Sequence, residues 1–235
     1  MKIPMLHKTL VIFYIVFLVG GNLNAQSKDM PLTYGVRAGM ANPVLTWDYQ
    51  PSTLNRFSPI IGGFVQYQFL PWISASFDIL YTQYGGNSYN PLSLYPQTSP
   101  LLTNLQFSNL KINTLETPIQ AKFGIPSLDG PIKPYASLGC SFAFFLKAKS
   151  YNYYLNTLTT SNPIWYSATD NVTSSLKAYD FSGISAVGID FANENINFSV
   201  ELFYRLGLTQ INANKKNYAP EYRISTIGLK FGVGI

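Results

Sequence analysis

The stretch Ile196-Asn197-Phe198-Ser199-Val200-Glu201-Leu202-Phe203-Tyr204-Arg205-Leu206-Gly207-Leu208-Thr209 alternates with a period of two. Its even positions are aliphatic or aromatic, and six of its seven odd positions are polar, charged or glycine. Successive side chains on a β-strand point to opposite faces, so this segment has one greasy face and one polar face. The same pattern marks seven further stretches: 32–41, 58–68, 72–84, 109–123, 132–147, 177–191 and 221–235. The connections alternate as well, between long (42–57, 85–108, 148–176, 210–220) and short (69–71, 124–131, 192–195). The short ones carry turn residues: Pro71, then Pro126 and Asp129-Gly130-Pro131, then Asn193 and Asn195. Eight such strands joined in this rhythm predict an all-β fold, an eight-stranded antiparallel up-and-down barrel of a Gram-negative outer membrane. Short turns and both chain ends are expected in the periplasm, and the long loops outside.

The N-terminus agrees with export. Lys2 and Lys8 precede ten unbroken apolar residues, Leu10 to Val19; Gly20, Gly21 and Asn22 follow, and Ala25 offers a cleavage site before Gln26. This is the layout of a secretory signal peptide, 1–25, and the run is short for a membrane anchor. Residues 26–235 then form one domain, opened by a short lead at 26–31. Loss of Lys2 and Lys8 from the 16 basic residues leaves 14 against 11 acidic ones, a net charge of +3. No basic run interleaved with aromatics points to nucleic acid.

Which face looks inward follows from composition. Charged residues are 11% of the chain, against about 25% in soluble domains. A soluble, lipocalin-like barrel would also alternate, but with its apolar face inside and charge outside. Here the polar faces are mostly Ser, Thr, Gln and Gly. Glycines such as Gly35, Gly62 and Gly232 fall on the polar set, while Gly63 and Gly183 fall on the other. An eight-stranded lumen has little room, and small residues relieve crowding there. The apolar set is therefore expected to face lipid. It includes Tyr34, Val36, Ile61, Phe77, Ile119, Leu138, Phe142, Val187, Leu229 and Phe231, and reaches Ile235 on the last strand. That strand is similar to the C-terminal signal read by barrel-assembly machinery, with Ile235 in place of the usual Phe. Outer-membrane lipid, lipopolysaccharide and that machinery are the expected partners.

Two strands carry recognisable motifs. Leu115-Glu116-Thr117-Pro118-Ile119-Gln120-Ala121-Lys122-Phe123 resembles the "LEIPLLLK" strand of the PorT-like outer-membrane β-barrel family. Lys133-Pro134-Tyr135-Ala136-Ser137-Leu138-Gly139 is similar to the strand that follows it, and Asp180-Phe181-Ser182-Gly183 and Glu201-Leu202-Phe203-Tyr204-Arg205 also fit. Thr117 and Gln120 depart from the family's aliphatic residues. The resemblance implies the barrel fold and the outer-membrane location. The founding member's role as an accessory of type IX secretion is carried only as an alternative. Proline cannot donate to a ladder, so a bulge is expected near Pro118.

Parity places Arg37, Asp78, Glu116, Lys122, Asp180, Glu201, Arg205 and Lys230 on lumen faces. One reading is a catalytic or transport site. The other is a network of paired charges that plugs a narrow barrel, and it is favoured because isolated charges in a cramped lumen are costly. A narrow pore for small solutes is the remaining alternative. His7 is the only histidine and leaves with the signal peptide, so the mature chain is expected to lack Ser–His–Asp and Cys–His catalysis and histidine-built zinc sites. A non-enzymatic protein without cofactor is expected. Cys140 reads as a small apolar filler. Loop acids such as Asp48 and Asp170 are too scattered for a visible calcium cage, and the two glycosylation sequons read as chance in a bacterial barrel. The long loops hold Tyr89, Tyr95, Tyr151, Tyr153, Tyr154, Trp165 and Tyr166. Such rings suit either a partner-binding tip or the interfacial aromatic girdle.

Overall fold

In a computed structural model, residues 32–47, 50–51, 57–88, 105–125, 132–156, 164–192, 196–213 and 222–235 are described. They form ten strands: β1 Leu32–Trp47, β2 Gln50–Pro51, β3 Ser58–Leu70, β4 Ile73–Ser88, β5 Leu105–Gly124, β6 Ile132–Asn156, β7 Ile164–Asn171, β8 Tyr179–Ala192, β9 Asn197–Gly207 and β10 Tyr222–Gly234. Eight of them make an antiparallel meander in the order β1-β3-β4-β5-β6-β8-β9-β10, and β10 pairs back onto β1. The closing seam runs from Gly35↔Gly234 to Trp47↔Tyr222, and Tyr34 and Ile235 exchange backbone hydrogen bonds of 3.0 and 3.1 Å. Closure leaves the eight-stranded ring without a free edge, which a lipid environment requires. β2 and β7 are short additions beyond the ring, on β1 and β6. The expected signal segment 1–25 and the expected lead 26–31 lie outside the described residues.

The apolar set faces outward. Val36, Ile61, Leu138, Val187 and Phe231 are each more than half exposed, while outward Ile73 and Val200 are half-buried. Glycine marks the opposite face by close approach. A Cβ on Gly62 would lie 2.0 Å from the Ile79 carbonyl oxygen, whereas one on outward Gly183 would meet nothing within 4 Å.

Two expectations are corrected. No bulge forms at Pro118. β5 keeps one register with β4 from Phe77↔Ile119 to Leu80↔Glu116, with the rungs between them missing, while Pro118↔Ser141 on β6 is intact. The missing N–H therefore costs hydrogen bonding toward β4 without inserting a residue. The bulge lies upstream, where Asn113–Thr114 oppose Phe145–Lys147. It puts Leu146 and Lys147 outward in succession and reverses the parity of β6, so that Ala148, Ser150 and Asn152 turn inward.

The second correction concerns the loops. The expected loop 148–176 is largely a hairpin. β6 runs on to Asn156 and β7 returns along it, from Lys149↔Asn171 to Asn156↔Ile164. Strand also replaces 42–47, 85–88 and 105–108 of the expected loops. Beyond the hydrocarbon core neither face meets lipid tails, so a strand there needs no apolar alternation, and that period marks only the core-crossing part.

Candidate functional site

The inward positions of neighbouring strands stack in layers. Read toward the long-loop end, β9 presents Glu201, Phe203 and Arg205, β4 presents Asp78, Leu80 and Tyr84, and β1 presents Arg37, Ala41 and Leu45, all buried. Successive inward positions are about 6.8 Å apart along a strand.

The first layer joins four charges. Arg37 bonds Asp78, and Lys230 lies 2.6 Å from Glu201 and 3.8 Å from Asp78. Tyr135 donates to Glu201 at 3.0 Å. The cations also sit on rings, Arg37 4.4 Å from the Phe64 centroid and Lys230 4.9 Å from that of Phe203. Next comes an apolar layer of Ala41, Ile60, Leu80, Ile184, Ala186 and Phe203. Beyond it Arg205 holds two carboxylates, Asp180 at 2.5 Å and Glu116 at 3.1 Å, and donates to the Ile224 carbonyl at 3.2 Å. Tyr84 and Ser141 complete Glu116, and Thr209 completes Asp180.

A second apolar cluster follows, built on Leu45, Leu110, Ile112, Ala148, Tyr222 and Ile224. Val172, Leu176 and Ile211 reach into it from the connections that follow β7 and β9. Those connections are tied down: Val172 donates to Ala148, Lys177 to Ile211 and Ala213 to Ser175, at 2.8–3.0 Å. At the short-turn end the lumen is polar. Lys122 is 2.8 Å from Asp190, donates to Gln66 at 2.9 Å and sits 3.7 Å over the Tyr135 ring. Two adjoining cavities of about 70 Å3 lie here, sharing Gln66, Gln68, Lys133 and Asp190.

All eight charges selected by parity are thus buried, and each lies within 4 Å of an opposite charge. Sequence reasoning overlooked Asp190, the partner of Lys122, although outward Ile189 and Phe191 already placed it inside. It also overlooked Tyr84 and Tyr135, which were legible by the same parity. The apolar cap had no such signal, because Val172, Leu176 and Ile211 lie in connections. Of the loop rings, Tyr89 and Tyr95 lie outside the described residues. Tyr151 is half-buried and Tyr153 is 40% exposed on β6. Tyr154↔Tyr166 and Leu155↔Trp165 are opposed in the hairpin. Cys140 is a free, half-buried thiol between Ile119 and Gly183 on the neighbouring strands.

Residues 24–213 match the family model described as an outer membrane protein beta-barrel domain. The chain belongs to that outer-membrane barrel family. The match is to this broad family and names no branch of it. No curated protein matches the chain by sequence. Among solved structures it is similar to Neisserial surface protein A, with 16% identity, 86% of this chain and 96% of that one covered, and a TM-score of 0.44. Ail, the attachment invasion locus protein of Yersinia pestis, gives 14% identity over 88% of this chain and all of that one, with a TM-score of 0.41. OprG of Pseudomonas aeruginosa gives 12% identity over 86% and 92%, with a TM-score of 0.44. The protein is an integral outer-membrane β-barrel.

Proposed function

We propose that this barrel is a closed, non-enzymatic wall element whose long-loop end serves as a contact surface for an extracellular partner. The observation that carries the first half is the layering of the lumen. Two charged layers are separated by one apolar layer and covered by another, so a hydrated ion would have to cross dry packing twice. The charged residues are committed to one another in ion pairs. The test is a planar-bilayer recording of the refolded protein. Silence is the expected result, and steady channels from monomeric protein would overturn closure.

The second half rests on the β6–β7 hairpin. A strand crosses a bilayer in about 9–11 residues, and β6 has 25. Its pairing with β7 extends eight rungs, about 24 Å along the strand. Rings on such a projection combine apolar area with polar tips, the composition of contact surfaces. Replacing 154–166 by a short turn should leave the barrel folded, shown by heat-modifiable migration on gels. A pull-down from native outer membranes should then lose a partner that the whole chain recovers. Equal recovery by both would refute the contact role. Secretion components among that partner would favour the accessory role suggested by the strand motifs.

A further inference from the structure

Outside the lumen, the bulge in β6 gathers three lysines on the lipid-side surface. Lys111 faces outward between buried Leu110 and Ile112, and Lys149 faces outward between buried Ala148 and Ser150. The two are direct partners across β5 and β6, and exposed Lys147 stands opposite Asn113 beside them. Directly opposed side chains have Cβ atoms about 4.5–5.5 Å apart, and like charges there repel. No carboxylate among the described residues answers them. Asp170 accepts from Asn152 on the inner face, and Glu116 and Asp180 are held by Arg205. The neighbouring connections 89–104 and 157–163 contain no Asp or Glu at all.

The height of the cluster is equally specific. The outward apolar band of β5 and β6 ends at Leu115, Phe144 and Leu146, which are 37%, 47% and 55% exposed. The lysines are the next charged positions beyond it, where outer-leaflet headgroups lie. Without the bulge the parity of β6 would point Lys147 and Lys149 into the lumen.

We propose that Lys111, Lys147 and Lys149 form a clamp for the phosphates of an outer-leaflet glycolipid, the lipid A of lipopolysaccharide. Ammonium groups bind phosphate through charge-assisted hydrogen bonds, strengthened at an interface that excludes part of the water. The bound phosphates also relieve the repulsion between Lys111 and Lys149. The inference rests on the outer-membrane family alone, so its failure would leave the closed lumen and the contact role untouched.

The test uses the full chain in detergent with bisphosphorylated lipid A, fully dephosphorylated lipid A and inorganic phosphate as probes, and native mass spectrometry as readout. The variant K111Q/K147Q/K149Q should bind lipid A about tenfold more weakly or worse, while K133Q at the opposite end binds like the wild type. Dephosphorylation should weaken binding to the wild type alone. Equal lipid A binding by wild type and triple variant, or equal binding of both lipids, would overturn the clamp. Displacement of lipid A by millimolar inorganic phosphate would overturn the lipid as its source. A second measurement needs no lipid and no triple variant. In lipid-free detergent K149Q should raise the unfolding temperature by removing the repulsion; an unchanged or lowered temperature would count against it.

Discussion

Around Arg205 one guanidinium serves two carboxylates, Asp180 and Glu116, and all three are nearly or wholly buried. Around Lys230 the arrangement is redundant, because two cations, Lys230 and Arg37, share Glu201 and Asp78. The total burial is alike and the vulnerability is not. Removing one partner of a buried pair is costly because it leaves the other charge unpaired. In the Arg205 layer one change leaves two unpaired carboxylates, and in the Lys230 layer it leaves one cation in place.

The largest effect is therefore expected from Arg205→Met. Urea titration of the refolded barrel should show a loss of about 5 kcal/mol, the upper end for a broken buried pair, or no folded species at all. Lys230→Met should cost about 3 kcal/mol, since Arg37 and the Tyr135 hydroxyl still face the carboxylates. If the two substitutions cost the same, the redundancy of the lower layer has no energetic meaning.

The double change Lys230→Met with Glu201→Leu sharpens the comparison. Replacing a whole buried pair by apolar groups of similar volume is often neutral or stabilising, so stability should return to within about 1 kcal/mol of the wild type. The new side chains would extend the apolar layer at Phe203 toward the short-turn end. A double variant as unstable as Lys230→Met would mean that Glu201 also balances Arg37. Planar-bilayer silence should persist in the double variant, since no layer is opened.

The sequence made the lumen legible because lipid imposes a strict rule on one face. Once Leu202 and Tyr204 face lipid, Glu201, Phe203 and Arg205 have only the lumen. The same rule explains the losses. It stops at the edge of the hydrocarbon core, so the β6–β7 hairpin, whose faces meet headgroups, water or protein, read as a loop. It assumes an unbroken period, so the shift at Leu146–Lys147 was invisible, and with it the outward turn of Lys147 and Lys149. Pro118 drew attention as the obvious irregularity, yet a missing donor leaves a gap in one ladder, whereas only an extra residue changes parity. The apolar cap needs three segments distant in sequence, Val172 and Leu176, Ile211, and Leu45, and no periodicity links them.

The smallest effect should come from Asp190→Asn, the pair that opens to solvent. Lys122 is buried but its carboxylate partner is 25% exposed, at the cavities of the short-turn end. Water screens an ion pair there, and such pairs contribute about 0–1 kcal/mol. Lys122 also retains the Gln66 side-chain Oε1 and the Tyr135 ring after the change. The expected loss is under about 1 kcal/mol at low salt and smaller still at high salt, where screening weakens the wild-type pair as well. A loss as large as that of Lys230→Met, unaffected by salt, would place Asp190 in a dry interior. The short-turn end would then be sealed like the long-loop end, and the contrast between a polar mouth and an apolar cap would fail.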